Sequence, residues 1–288
     1  MTATTPPARR GGIFWLIAAL TLAGLLLRSL RLDAPPLWWD EGYSVYFATE
    51  PLTRMVWLTA RDIHPPLYYA LLHGWITLWQ NAAPATDRWL SVLLGVAALP
   101  AIYWVGRTFY PPRRAVAVVA TLLLTISPLH LYYSQEIRMY GLALLWGLLA
   151  TGALWRLLAH LHQPVLTAPG WGPWLLAYTL CAVGGLFTLY YTGLLLAGHT
   201  IWALWSLRRT WRRALIFLFA GALILLAYLP WLLYAVPQLV GYVGNKVGSD
   251  ADAALGLPAY LARHLSAFVG GHLSPAALPF VTVALIVG

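Results

Sequence analysis

The stretch that decides the fold is ALIFLFAGALILLAYLPWLLYAV, residues Ala214–Val236, which contains no charged side chain. Crossing a bilayer core of about 30 Å takes roughly 20 apolar residues, and this run is long enough. A single segment in lipid satisfies all its backbone hydrogen bonds only as a helix. The run therefore predicts a membrane-spanning helix.

Further apolar runs along the chain predict more spans of the same kind. They are Ile13–Leu30, Trp89–Gly106, Ala115–Tyr133, Met139–Ala159, Pro173–Thr192 and Gly193–Leu207. Pro100 and Pro128 are candidate kinks within two of these spans. We expect Pro275–Gly288 to be the start of a truncated span, with C-terminal helices missing from this chain. The predicted fold is an all-α integral membrane bundle.

The composition excludes several classes of protein. The chain is 60% hydrophobic and 9% charged, whereas soluble domains carry about 25% charged residues. Cys181 is the only cysteine, so a disulfide scaffold is excluded. The net charge of +9 suggests nucleic-acid binding at first, but the arginines flank apolar runs and form no single polar face. We therefore expect membrane lipids as partners and no nucleic acid.

The distribution of arginines predicts the orientation in the membrane. Basic residues flank membrane spans mainly on the cytoplasmic side. The arginines placed there are Arg9, Arg10, Arg107, Arg113, Arg114, Arg156, Arg208, Arg209, Arg212 and Arg213. All nine acidic residues then lie outside. This predicts a plasma (inner) membrane protein with an uncleaved first span, a cytoplasmic N-terminus and an extracytoplasmic active site.

The apolar segment Leu67–Gln80 would reverse this scheme if it crossed the membrane. It is short for a span and contains His73 and Gly74, which favours a re-entrant or interfacial helix. Residues 31–88 are therefore predicted to be one long external loop that carries interfacial helices. Pro237–Ser274, rich in glycine and polar residues, is predicted to be a second external segment.

The first candidate motif is LWWDEGYS, residues Leu37–Ser44, in which Asp40 and Glu41 follow two tryptophans. One interpretation is a solvated loop with an aromatic interface anchor. The other is a partly desolvated carboxylate that acts as a general base on an acceptor hydroxyl. Two carboxylates without further ligands are only a weak metal signal.

The second motif is RDIHPPLYY, residues Arg61–Tyr69, whose two prolines fix the start of the following helix. Arg61 and His64 would lie at the positive N-terminus of that helix, which is a natural anion site. The alternative is a rigid turn with an incidental histidine.

The third motif is YYSQEIRMY, residues Tyr132–Tyr140, between two predicted spans. Glu136 and Arg138 either pair with neighbours and snorkel or serve a function at the membrane surface. The planar fork of an arginine suits a phosphate. With all three motifs on the external side, the substrate class that fits is a lipid-linked sugar phosphate.

Taken together, the motifs resemble those of GT-C superfamily membrane glycosyltransferases, most closely glycosyltransferase family 39, the protein O-mannosyltransferase-like group with many bacterial members. The matching stretches are WWDEGYS (Trp38–Ser44), DIHPPLYY (Asp62–Tyr69) and YYSQEIRMY (Tyr132–Tyr140). The resemblance covers roughly the first 235 residues. It implies a polytopic GT-C helix bundle, polyprenyl-phosphate sugar donors and an active site on the first external loop.

The resemblance also implies roles for individual residues. Asp40 matches the catalytic base and Glu41 its acidic neighbour, while Arg138 and His64 would face the donor phosphate. The supporting residues are Glu136, Gln135, Tyr140 and Arg61. No cofactor is expected, because members of the group generally act without a divalent metal; a metal nevertheless stays open.

The resulting hypothesis is a membrane hexosyl- or pentosyltransferase. It would transfer a sugar from a polyprenyl phosphate to a hydroxyl of a lipid, glycan or protein acceptor, by an inverting single displacement. The alternatives are a transporter or flippase of lipid-linked sugars and a structural membrane subunit. Transporters usually place their charged sites near the membrane midplane, whereas the charges here gather at one surface.

Overall fold

A computed structural model describes residues 10–81, 83–164, 168–249 and 256–270 of the chain. These residues form twelve helices and no strand, as the sequence predicts. The helices are α1 Arg10–Ser29, α2 Trp39–Thr49, α3 Leu52–Thr59, α4 Leu67–Trp79, α5 Pro84–Phe109, α6 Arg114–Ile126, α7 Pro128–Ser134, α8 Tyr140–Leu161, α9 Ala168–Leu186, α10 Thr192–Leu207, α11 Trp211–Ser249 and α12 Leu257–Gly270.

Contacts between chain segments show which helix ends lie together. We call the end of the bundle that carries residues 31–88 the loop end. The Arg88 side chain, at the start of α5, donates to the carbonyl of Leu32 just after α1, at 2.6 Å. The Leu67 amide donates to the carbonyl of Phe187 after α9, at 2.9 Å. At the opposite end, Arg213 donates to the carbonyl of Leu161 at 2.7 Å. The seven segments α1, α5, α6–α7, α8, α9, α10 and α11 thus alternate in direction.

The described helices include several that suit a bilayer, and the chain is an integral membrane protein. Four are long and apolar enough to cross by length and composition: Gly11–Ser29, Pro84–Phe109, Tyr140–Leu161 and Trp211–Tyr242; the bent pair α6–α7 makes a fifth. The sequence predicts seven, and the other two, α9 and α10, do not meet this test. At 16 residues and 1.5 Å per residue, α10 is about 24 Å long, which is short for a core of about 30 Å.

Two predicted boundaries differ from the structure. α9 ends at Leu186, before the predicted Thr192, because turns occupy the chain from Phe187 to Tyr191. α11 continues through Pro237 to Ser249, so the first part of the predicted external segment is helical. The predicted truncated span from Pro275 lies outside the described residues.

The predicted kink at Pro128 is a break between α6 and α7, which are bent by 58°. Proline lacks an N–H and its ring clashes with the carbonyl four residues earlier, here that of Leu124. The fully buried Arg28 of α1 donates to this carbonyl at 3.1 Å and to that of Thr125 at 3.2 Å. An arginine from another helix therefore satisfies the carbonyls at the break.

The helices of residues 31–88 pack on one another at the loop end. Phe47 of α2, Met55 of α3 and Tyr69 of α4 are buried in one cluster. Helix α4 begins beside Phe187, and its Trp75 indole donates to the carbonyl of Thr86 at 2.9 Å. Both contacts lie at the loop end, so α4 does not cross the bundle.

Gly95 of α5 packs closely against the third motif. A Cβ at Gly95 would lie 2.2 Å from the Ser134 hydroxyl at the end of α7. Any larger residue at position 95 would displace the turn that carries Glu136 and Arg138.

Charge is distributed unequally between the two ends. The arginines at the end opposite the loop are Arg107, Arg113, Arg114, Arg156, Arg208, Arg209, Arg212 and Arg213. Within the described ranges, no acidic residue lies at that end. The described acids are Asp33, Asp40, Glu41, Glu50, Asp62, Asp87 and Glu136, all at the loop end. This asymmetry matches the pattern on which the predicted orientation rests.

Candidate active site

Glu41 and Arg88 form a buried ion pair between α2 and α5. Arg88 donates from Nε to Glu41 Oε1 at 2.9 Å and from Nη2 to Oε2 at 2.6 Å. The side chain of Glu41 is 1% exposed and that of Arg88 is 3% exposed. The Ile137 amide also donates to Oε1 at 3.0 Å. Both oxygens of Glu41 are therefore engaged, and this buried carboxylate connects the first and third motifs.

Asp40, one position earlier, has a different environment. Its side chain is 37% exposed, and its Oδ2 lies 3.5 Å from Nη2 of Arg138. It lies in the first turn of α2, where the helix dipole favours a negative charge. Asp40 is thus an accessible carboxylate oriented by a buried cation.

Arg138 connects the first, second and third motifs. Its side chain is 4% exposed, and Nη2 lies 3.1 Å from Nε2 of His64. Nη1 is 3.4 Å from the carbonyl oxygen of Asp40. The buried Nε of Arg138 has no hydrogen-bond partner in the part of the chain described.

His64 is held in one tautomer by its two neighbours. A guanidinium has only donors, so Nε2 of His64 accepts from Arg138. The proton is then on Nδ1, which donates to Asp62 Oδ2 at 3.0 Å. Burial acts to raise the pKa of Asp62, but hydrogen bonds from His64 and from the Ile63 amide, together with the charge of Arg138, outweigh it, and the pKa lies below its usual value. The result is a continuous line from Asp62 through His64 and Arg138 to Asp40.

Glu136 is a buried carboxyl beside this line. It is 6% exposed, and its Oε2 has no hydrogen-bond partner among the described residues. Burial raises the pKa of Glu136, and the charge of Glu41 raises it further, against a hydrogen bond from Tyr132 and the charge of Arg138. Glu136 therefore resists ionisation more than an ordinary glutamate.

Of the remaining predicted residues, Gln135 and Tyr140 belong to the third motif and Arg61 to the second. Gln135 donates to the carbonyls of Arg28 and Leu30, at 3.1 and 2.8 Å, and fixes the turn to the end of α1. The Tyr140 ring lies 5.7 Å from the guanidinium carbon of Arg138. Arg61 is exposed and lies over the ring of Trp57, whereas His64 contacts Asp62 and Arg138.

Arg88 and Asp62 are site residues that the sequence predictions omit. Asp62 lies in the quoted second motif, and its place two residues before His64 allows the contact. Arg88 follows Asp87 at the start of a span, where a basic residue first suggests snorkelling. Its donation to the carbonyls of Leu32 and Pro35, at 2.6 and 2.9 Å, depends on distant chain segments that no local pattern encodes.

Comparison with known proteins identifies a related fold. The structure of the Saccharomyces cerevisiae protein O-mannosyltransferase Pmt1-Pmt2 complex bound to the sugar donor aligns with a TM-score of 0.58 and 14% sequence identity. The alignment covers 80% of this chain and 34% of that one, so the chain spans about a third of the length of its match. The chain therefore shares an all-helical membrane fold with that protein, and the predicted fold class is confirmed. No family model and no curated protein sequence matches the chain.

Proposed function

We propose that the chain is a membrane glycosyltransferase that moves a sugar from a polyprenyl-phosphate donor to a hydroxyl of a lipid, glycan or protein acceptor outside the cytoplasm. The observation that carries the proposal is the line Asp62–His64–Arg138–Asp40. It places an accessible carboxylate next to a buried cation. The donor-bound O-mannosyltransferase of the same fold is in keeping with this chemistry.

The reaction needs a base on one side of the sugar and a cation at the leaving group. Asp40 takes the proton of the acceptor hydroxyl, and the hydroxyl oxygen bonds to the anomeric carbon. The bond from that carbon to the phosphate oxygen breaks, and the polyprenyl phosphate leaves with the electron pair. Attack from the face opposite the leaving group inverts the anomeric configuration.

Arg138 stabilises the negative charge that develops on the leaving phosphate. The buried guanidinium acts in a region of low dielectric, where such stabilisation is stronger than in water. His64 accepts from Nη2 and so orients the fork, while Asp62 sets the tautomer of His64. We assign Glu41 and Arg88 a positioning role, because their ion pair fixes the helix that carries Asp40.

A transporter of lipid-linked sugars would use a similar phosphate contact. Transporters typically bind substrate near the membrane midplane, at broken helices. Asp40, His64 and Arg138 lie at the loop end of the bundle, outside the spans, and this position favours a surface reaction over translocation.

The test is transfer by the full-length protein reconstituted in lipid. Radiolabelled polyprenyl-phosphate sugars are incubated with a membrane extract, and labelled product is measured. Asp40→Asn is expected to lower transfer by about 10²–10⁴-fold, the usual effect of losing a general base. Asp33→Asn, an exposed acid of the same loop, should transfer normally.

Near-normal transfer by Asp40→Asn would remove Asp40 from the mechanism. Movement of labelled lipid across liposomes without any transfer by the wild type would instead favour the transporter.

A further inference from the structure

Two arginines and a tryptophan form an exposed cationic surface on α3 and the turn after it. The guanidinium carbon of Arg54 lies 4.3 Å from the Trp57 ring centroid, and that of Arg61 lies 3.8 Å from it. Nη1 of Arg61 also donates to the carbonyl of Trp57 at 3.2 Å. Both arginines are exposed. We call Arg54, Trp57 and Arg61 the arginine ridge.

Among the described residues, no carboxylate forms an ion pair with the arginine ridge. The ion pairs in the described part of the chain join His64 to Asp62, Arg88 to Glu41 and Arg138 to Asp40, and none includes Arg54 or Arg61. A guanidinium that lies on an aromatic ring is restricted in orientation and still presents its N–H edge. An arginine N–H edge of this kind fits the oxygens of a phosphate group.

The position of the arginine ridge relative to the membrane follows from the contacts of its neighbour Ala60. This residue is fully buried in a cluster with Tyr228, Trp231 and Ala235 of α11. These α11 residues lie in the last turns of the apolar run that begins at Ala214, at the loop end. The ridge therefore lies beside the end of a spanning helix, at the level of lipid headgroups, where tryptophan and arginine are common.

We propose that the arginine ridge binds the phosphate of an anionic phospholipid headgroup in the leaflet at the loop end. Charge complementarity selects this partner, because two unpaired cations lie at headgroup level on a preorganised aromatic support. The contact fixes α3 to the membrane surface immediately before Asp62 and His64. Lipid binding at the ridge is independent of the proposed transferase activity.

The experiment is a titration of detergent-purified protein into phosphatidylglycerol labelled with a fluorophore on its acyl chain, read by anisotropy. A basic residue near an anionic lipid surface contributes about fivefold in affinity, so Arg54→Gln with Arg61→Gln should weaken binding about thirty-fold. The same titration with labelled phosphatidylcholine, which carries no net charge, should be unaffected by the substitutions.

The matched control is Arg208→Gln. Arg208 is also exposed and lies 4.3 Å from the ring of Trp205, but at the opposite end, where Arg209, Arg212 and Arg213 follow it in the chain. This variant should bind phosphatidylglycerol like the wild type. Equal binding by the double variant and the wild type would overturn the proposal, as would an equal loss for both lipids or an equal loss in Arg208→Gln. Unchanged thermal unfolding without added lipid checks that the double variant is folded.

Discussion

At the scale of the residue, the adjacent carboxylates Asp40 and Glu41 differ in what surrounds them. Glu41 has both oxygens bonded to Arg88 and is 1% exposed, whereas Asp40 is 37% exposed with one cation 3.5 Å away. In the sequence, these are two adjacent acidic residues whose burial cannot be told apart. Successive side chains of a helix point about 100° apart, so Glu41 faces Arg88 of α5 and Asp40 faces the site. Only the tertiary contact with Arg88 separates their roles.

The buried carboxyl of Glu136 yields a prediction about stability and pH. Its pKa is raised in the folded state, so the unfolded chain loses this proton first as the pH rises. The contribution of Glu136 to the free energy of unfolding then falls from about pH 4 upward, until the pH passes the folded-state pKa of Glu136. Glu136→Gln removes this penalty. It should unfold at a higher temperature than the wild type at neutral pH and at the same temperature below about pH 4.

Thermal unfolding in detergent micelles over a pH series measures this difference. The control is Glu50→Gln, which changes a glutamate outside the site. A constant difference between Glu136→Gln and the wild type at every pH would contradict a buried, reluctantly ionised Glu136.

At the scale of the element, the break at Pro128 and the buried Arg28 depend on each other. Arg28→Met leaves the carbonyls of Leu124 and Thr125 unpaired, and each unpaired buried group costs about 1–3 kcal/mol. Adding Pro128→Ala supplies an N–H that can donate to Leu124. The double variant should therefore be more stable than Arg28→Met alone, by thermal unfolding.

A double-mutant cycle with the two single variants isolates this coupling. Purely additive effects would show that Arg28 does not compensate for the break.

The helices also show what a sequence can predict. Long apolar runs define the helical class and most helix positions, because lipid leaves the backbone few alternatives. The length of α11 and the early end of α9 were not predictable, because α11 continues through Pro237 into a glycine-rich stretch and α9 ends in turns within an apolar run. In the site, the proximity of His64 and Arg138 follows from three motifs at one end, but the contact of Arg61 with Trp57 reflects a side-chain choice that residue spacing does not fix.

At the scale of the whole molecule, the separation of charge between the two ends predicts the orientation and the number of crossings. Alternating helix directions place the 31–88 loop and the α9–α10 turn at one end, and the α8–α9 and α10–α11 turns at the other. The arginine-rich end should face the cytoplasm. Single cysteines in a Cys181→Ser background test this arrangement with a membrane-impermeant maleimide.

Exposed Asn81 and Tyr191 mark the loop end, while Gln163 and Thr210 mark the opposite end. Cysteines at Asn81 and Tyr191 should react in intact cells, and those at Gln163 and Thr210 only after permeabilisation. Tyr191 is decisive, because α9 and α10 fall outside the helices that meet the length and composition test for a span. If those two helices did not cross, the cysteine at Tyr191 would react from the same side as that at Gln163.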